Sequence, residues 1–131
     1  MLLATEAGNT NIVFAVYDGA EMRAQWRAVT QVARTADEHA VWLNQLLALN
    51  GWSFEDLDEA IIATVVPALL FDLRALCRTY LNCEPMIVGD PMLDLGPGPE
   101  VDRPETVGAD RLCNTVAAHD RYPGAVLVVD F

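Results

Sequence analysis

The sequence predicts an α/β domain built on a mixed sheet with helices on its faces. Three observations carry this. The chain opens with apolar runs joined by tight polar turns, as in strands that meander. Helical and strand-like patterns then alternate to the end. The chain has 131 residues, 53% of them apolar, which is enough for one domain with a proper core.

The first apolar run, Leu2 to Ala4, enters Glu6-Ala7-Gly8-Asn9-Thr10-Asn11. The second, Ile12 to Tyr17, leads to Asp18-Gly19, and Ala20 to Val29 alternates as a third strand. Asn and Gly tolerate the backbone angles that tight turns need. Thr35 and Glu38 have capping-box spacing ahead of a helix through Leu43, Leu46 and Leu47, which Asn50-Gly51 stops. Ser53 to Asp58 reads as a polar turn, and Ala60 to Val66 as a buried strand rich in β-branched residues. Pro67 opens a second helix, whose apolar face includes Leu69, Leu73, Leu76 and Cys77.

Pro85 to Val88 is a short strand, followed by a Pro- and Gly-rich loop from Gly89 to Thr106. Gly108 to Tyr122 is helical in pattern, and Ala125 to Asp130 reads as a last apolar strand. Three meandering strands followed by alternating helices and strands is the element order of a ribonuclease-H-like half domain. The last run repeats the opening logic, an apolar strand delivering a carboxylate. It is therefore expected to begin a second domain, giving a first domain over 1–124 and the start of another over 125–131. The chain reads as incomplete relative to a two-domain parent.

A net charge of −11 argues against general nucleic-acid binding, which needs a basic surface. No apolar run approaches bilayer length and no basic-then-apolar leader opens the chain, so a soluble cytoplasmic protein is expected. Cys77, Cys83 and Cys113 have no close pairing and read as reduced thiols, Cys77 and Cys113 as small core residues. His39 and His119 read as helix-surface residues without metal-like spacing.

Two segments carry chemistry. A carboxylate at the first strand's end, followed by Gly and short amide and hydroxyl side chains, suits a phosphate and metal cradle. Asp110 and Arg111 stand at a helix start, where free N–H groups and the dipole favour anions. An ionised aspartate there can take a proton from a hydroxyl, and an adjacent arginine can grip a carboxylate or phosphate. Each segment also has a plainer reading, as a strand-joining turn and as a stabilised helix start.

The motifs Gly8-Asn9-Thr10-Asn11, Arg34-Thr35-Ala36-Asp37-Glu38, Val65-Val66-Pro67, Val107-Gly108-Ala109-Asp110-Arg111 and Val128-Val129-Asp130-Phe131 together resemble the N-terminal part of type III pantothenate kinases. That family lies in the acetate and sugar kinase, Hsc70 and actin superfamily. The resemblance implies an actin-like ATPase half domain and ATP-dependent phosphorylation of pantothenate to 4'-phosphopantothenate, which starts coenzyme A synthesis. It implies that Glu6, Ala7, Gly8, Asn9, Thr10 and Asn11 bind ATP phosphates. It further implies that Gly108, Ala109, Asp110 and Arg111 bind pantothenate, with Asp110 as the base. By the same resemblance Asp130 binds a monovalent cation (K⁺ or NH₄⁺), Mg²⁺ accompanies ATP, and the full-length protein is a homodimer.

Two departures from the family pattern stand out. Glu6 occupies the position of an aspartate, which moves the charge by roughly an ångström, a displacement that can cost about a hundredfold in rate. The chain also stops before the Gly-Thr-Ala-Thr-Thr segment, so the fragment alone is expected to be inactive. The competing expectations are a non-catalytic binding or regulatory protein on the same fold and, further off, an acidic interaction domain without a ligand.

Overall fold

The computed structural model describes residues 1–96, 100–103 and 106–129. Three strands, β1 (Leu2–Ala7), β2 (Asn11–Asp18) and β3 (Glu21–Val29), are followed by α1 (Ala36–Leu49), β4 (Glu59–Thr64), α2 (Leu70–Leu76), β5 (Met86–Ile87) and α3 (Ala109–Arg121). The sheet order is β3-β2-β1-β4-β5. β1 pairs antiparallel with β2, and β2 with β3, whereas β1–β4 and β4–β5 are parallel. This is the ribonuclease-H-like arrangement, with β1 at the centre.

The period-two pattern decides which residues meet which helix. Leu3 and Ala7 of β1, Ile12, Phe14 and Val16 of β2, and Ala60 and Ile62 of β4 turn to one face and are buried there. Leu43 and Leu47 of α1 and Leu73 and Leu76 of α2 close over them in one core. α1 begins at the expected capping box: Thr35 Oγ1 accepts from the Glu38 amide, and the Glu38 carboxylate accepts from the Thr35 amide at 2.9 Å. A second such box, on Ser53 and Asp56, shapes the turn before β4. Pro67 opens a 3₁₀ turn (Pro67–Leu69) that leads into α2, and a π turn over Cys77–Leu81 closes that helix on Asn82 in the left-handed region.

The opposite face carries Ala4, Glu6, Val13, Ala15, Tyr17, Ile61 and Ala63, and α3 lies against it. There only Ala63, Val88 and Ala109 form a small buried cluster, with Ile61, Leu95 and Leu112 packed on it.

Three sequence expectations need correction. His39 is not on a helix surface: it is fully buried, its ring centroid 5.9 Å from that of Phe14. Cys113 is exposed rather than core, because α3 buries little more than Ala109. Residues 125–129 form no strand; an apolar run needs a neighbouring strand to pair with, and among the described residues this one has none. Leu127 is consequently 89% exposed. No helix among the described residues is long and apolar enough to cross a membrane.

Candidate functional site

The site is built where β1 and β4 end and α3 begins. Glu6 sits in the central strand opposite Val13 on one side and Ala63 on the other. Its side chain leaves the sheet on the α3 face, among the small residues Ala4, Ala15 and Ala63, which give it room. The chain then turns tightly through Gly8, Asn9 and Thr10, closed by the Gly8 amide donating to the Asn11 carbonyl at 2.9 Å. A Cβ on Gly8 would lie 3.4 Å from Glu6 Oε1, so glycine keeps space beside the carboxylate.

The exits of β1 and β4 are stitched together. The Val65 amide donates to the Ala7 carbonyl at 3.2 Å. The Thr64 hydroxyl also reaches the Ala7 carbonyl (3.0 Å) and accepts from the Val66 amide at 3.0 Å. Val65 in turn touches the start of α3, where Gly108 is the N-cap with φ −62° and ψ 150°. A Cβ on Gly108 would fall 2.5 Å from Asp110 Oδ1 and 3.5 Å from Val65 Cγ1. Only glycine lets the Asp110 carboxylate fold back over the helix start, where Oδ1 accepts from the Arg111 amide at 2.8 Å. Asp110 in the first turn of α3, with His119 and Arg121 in the last, suits the helix dipole at both ends.

The Glu6 and Asp110 carboxylates interact through their charges. The Glu6 carboxyl is raised above its ordinary range, first by burial and then by the negative charge of Asp110. Cys113, one turn after Asp110, is exposed as a residue, yet its thiol faces the sheet and is pushed up by partial desolvation, then by Asp110 and Glu6. Glu6 and Cys113 line a cleft of about 280 Å³ between the sheet and α3, whose walls also include Ala4, Ala15, Tyr17 and Ala63. Larger hollows, about 450 Å³ beside α1 and about 510 Å³ over α2, lie away from the glycine turn.

The structure thus brings Glu6, Ala7 and Gly8 together with Gly108, Ala109 and Asp110. Asn9 and Thr10 are exposed at the turn, and among the described residues the side chains of Asn9, Thr10 and Asn11 make no hydrogen bond. Arg111 is exposed and in no salt bridge among the described residues. Asp130, the expected cation ligand, lies outside the described residues. Among the described residues no three His, Cys, Asp or Glu side chains are grouped to hold a metal ion. Sequence reading missed Thr30 and Thr64, whose hydroxyls fasten the turn and the strand ends. The only available signal was a threonine at or just after the end of a β-branched run.

A central strand that ends in a carboxylate and a glycine turn, facing a helix that starts with an aspartate, marks the first half domain of an actin-like ATPase. Comparison narrows the class further. The family model for type III pantothenate kinase matches residues 2–131, and the chain belongs to that family. A type III pantothenate kinase of Paramagnetospirillum magneticum is 59% identical over 131 residues, 100% of this chain and 50% of that protein. One from Rhodospirillum rubrum is 57% identical over 131 residues, 100% of this chain and 51% of that protein. One from Maricaulis maris is 51% identical over 130 residues, 99% of this chain and 50% of that protein. The chain spans about half the length of the curated relatives it matches. A solved Porphyromonas gingivalis protein named as a candidate N-acetylglucosamine kinase superposes with a TM-score of 0.47 at 15% identity, over 66% of this chain and 33% of that one. The fold assignment rests on strand order rather than on that looser likeness.

Proposed function

We propose that this chain is the N-terminal half of an enzyme that transfers the γ-phosphate of ATP to the primary hydroxyl of pantothenate. One observation carries the reading: the charge of Asp110, at the start of α3, acts on Glu6, which lines the cleft beside the glycine turn. The relatives' shared name supplies the substrate class. In this reading the Gly8–Asn11 turn receives ATP phosphates through backbone amides and short side chains. The Gly108–Arg111 segment receives pantothenate, with Arg111 holding its carboxylate.

Asp110 takes the proton of the attacking hydroxyl. The new oxygen–phosphorus bond forms as the bond from the γ-phosphorus to the β–γ bridging oxygen breaks, and ADP leaves. Mg²⁺ would neutralise phosphate charge and would be held by the Glu6 carboxylate, a hard oxygen donor, leaving the Asp110 carboxylate to take the proton. Asp130 is assigned to a monovalent cation. We assign 1–124 to the first domain and 125–131 to the beginning of the second, in a cytoplasmic homodimer.

The test joins residues 1–131 to the C-terminal half of the Paramagnetospirillum magneticum relative and follows ATP-dependent phosphorylation of pantothenate. Asp110→Asn is expected to lower kcat about a thousandfold while the melting temperature holds. Retained turnover removes the base assignment. Absence of turnover with Glu6 and with Glu6→Asp alike favours a non-catalytic binding protein, the reading that a glutamate at this position suggests.

A further inference from the structure

The Gly8-Asn9-Thr10 turn projects from the sheet with little packing around it: Asn9 and Thr10 are exposed and Gly8 is half-buried. Its shape therefore depends on hydrogen bonds. One is internal, from the Gly8 amide to the Asn11 carbonyl. Two others come from a single residue beyond the end of β3. The Thr30 amide donates to the Thr10 carbonyl at 2.9 Å, and the Thr30 hydroxyl donates to the Gly8 carbonyl at 2.7 Å.

We propose that Thr30 is a positioning residue for phosphate recognition: by holding the Gly8 and Thr10 carbonyls it aims the Asn9 amide away from β3 and free for an anionic oxygen. This rests on the nucleotide reading given above. The physical step is peptide planarity. The Gly8–Asn9 peptide is trans, as are all peptide bonds among the described residues, so the N–H of Asn9 points opposite to the C=O of Gly8 in the same rigid unit. A carbonyl fixed towards Thr30 fixes that N–H in the reverse direction. With no side chain on Gly8, hydrogen bonds rather than packing hold this peptide plane, and the Thr30 hydroxyl makes the one on its carbonyl. An amide aimed in advance spares the ligand the cost of ordering it.

Thr30 touches no substrate in this account, and its effect must pass through the turn. Three versions of residues 1–131 joined to the C-terminal half of the Paramagnetospirillum magneticum relative separate the possibilities: the native one, Thr30→Val, which keeps shape and backbone amide but loses the hydroxyl, and Thr30→Ser, which keeps the hydroxyl. Two quantities are read, the amide hydrogen exchange of Gly8 by NMR and the affinity for Mg·ATP by titration calorimetry. Thr30→Val is expected to speed Gly8 exchange about tenfold and weaken Mg·ATP about tenfold, with Thr30→Ser close to native in both. Unchanged Gly8 exchange in Thr30→Val, or failure of Thr30→Ser to restore it, overturns the proposal. Exchange that follows the hydroxyl with equal ATP affinity in all three chains overturns it too. Exchange that follows the hydroxyl in a joined protein that carries native Thr30 yet binds no ATP upholds the clamp and overturns the nucleotide reading instead.

Discussion

The sheet face under α1 and α2 and the face under α3 are made from the same strands, yet they are packed to different standards. On the first, Leu3, Phe14, Ile62, Leu43 and Leu73 are all at or below 1% exposure in one continuous core. On the second, the buried cluster reduces to Ala63, Val88 and Ala109, and the remaining space is a cleft lined by the Glu6 carboxylate and the Cys113 thiol. Large side chains fill the face that fixes strand order and register. Small ones on the other leave room for Glu6 and let α3 bring Asp110 near. Stability and candidate chemistry are thus divided between the two sides of β1.

The largest effect that can break this contrast is a pair of cavity substitutions. Leu43→Ala on the closed face is expected to cost about 3 kcal/mol, because α1 cannot collapse into the space left. Leu112→Ala on the open face is expected to cost about 1 kcal/mol, since its side chain is only partly buried. Urea denaturation followed by circular dichroism measures both. Equal costs would show that α3 packs as firmly as α1 and would remove the division argued here.

A smaller effect concerns the one polar ring inside the closed face. Neither His39 ring nitrogen has a hydrogen-bond partner among the described residues. Burial lowers its pKa first and Arg34 adds to this, while Asp72 and Glu38 pull the other way. The folded chain therefore keeps His39 neutral where the unfolded chain, at about pH 6.5, begins to bind a proton. Stability is fully present above that pH and is lost as pH falls through the window below it. His39→Leu is expected to raise stability by about 1 kcal/mol at neutral pH, by removing an unsatisfied buried group. It should also flatten the decline of stability between about pH 7 and 5. A native profile already flat over that range would place the ring in contact with water.

His39 also shows how far the sequence could be read. It stands four residues before Leu43 and eight before Leu47, on the stripe that α1 buries, so the spacing was there and residue type argued against it. The three-strand meander, the alternation of helix and strand that follows it, and the capping-box start of α1 were legible, because alternation, caps and turn chemistry are local signals. Thr30 and Thr64 were not. Their roles depend on which strand ends become neighbours, and no local pattern encodes that. The apolar run over 125–129 has the composition of a strand, but pairing needs a partner edge that composition cannot supply.

The smallest effect is the most direct test of the open face. Burial and the charge of Asp110 both hold the Glu6 carboxyl above its ordinary range. A carboxylate whose folded pKa is raised stabilises the fold below its unfolded pKa, and that contribution is lost as pH rises through the folded value. Glu6→Gln is therefore expected to raise the melting temperature slightly at neutral pH, the gain vanishing below about pH 4. Asp110→Asn removes one of the two causes and leaves the other, so the Glu6 titration followed by carbon-13 NMR should move down without reaching the value of an isolated glutamate. An unmoved titration would place the two carboxylates too far apart to share a phosphoryl group, whatever the stability of the sheet beneath them.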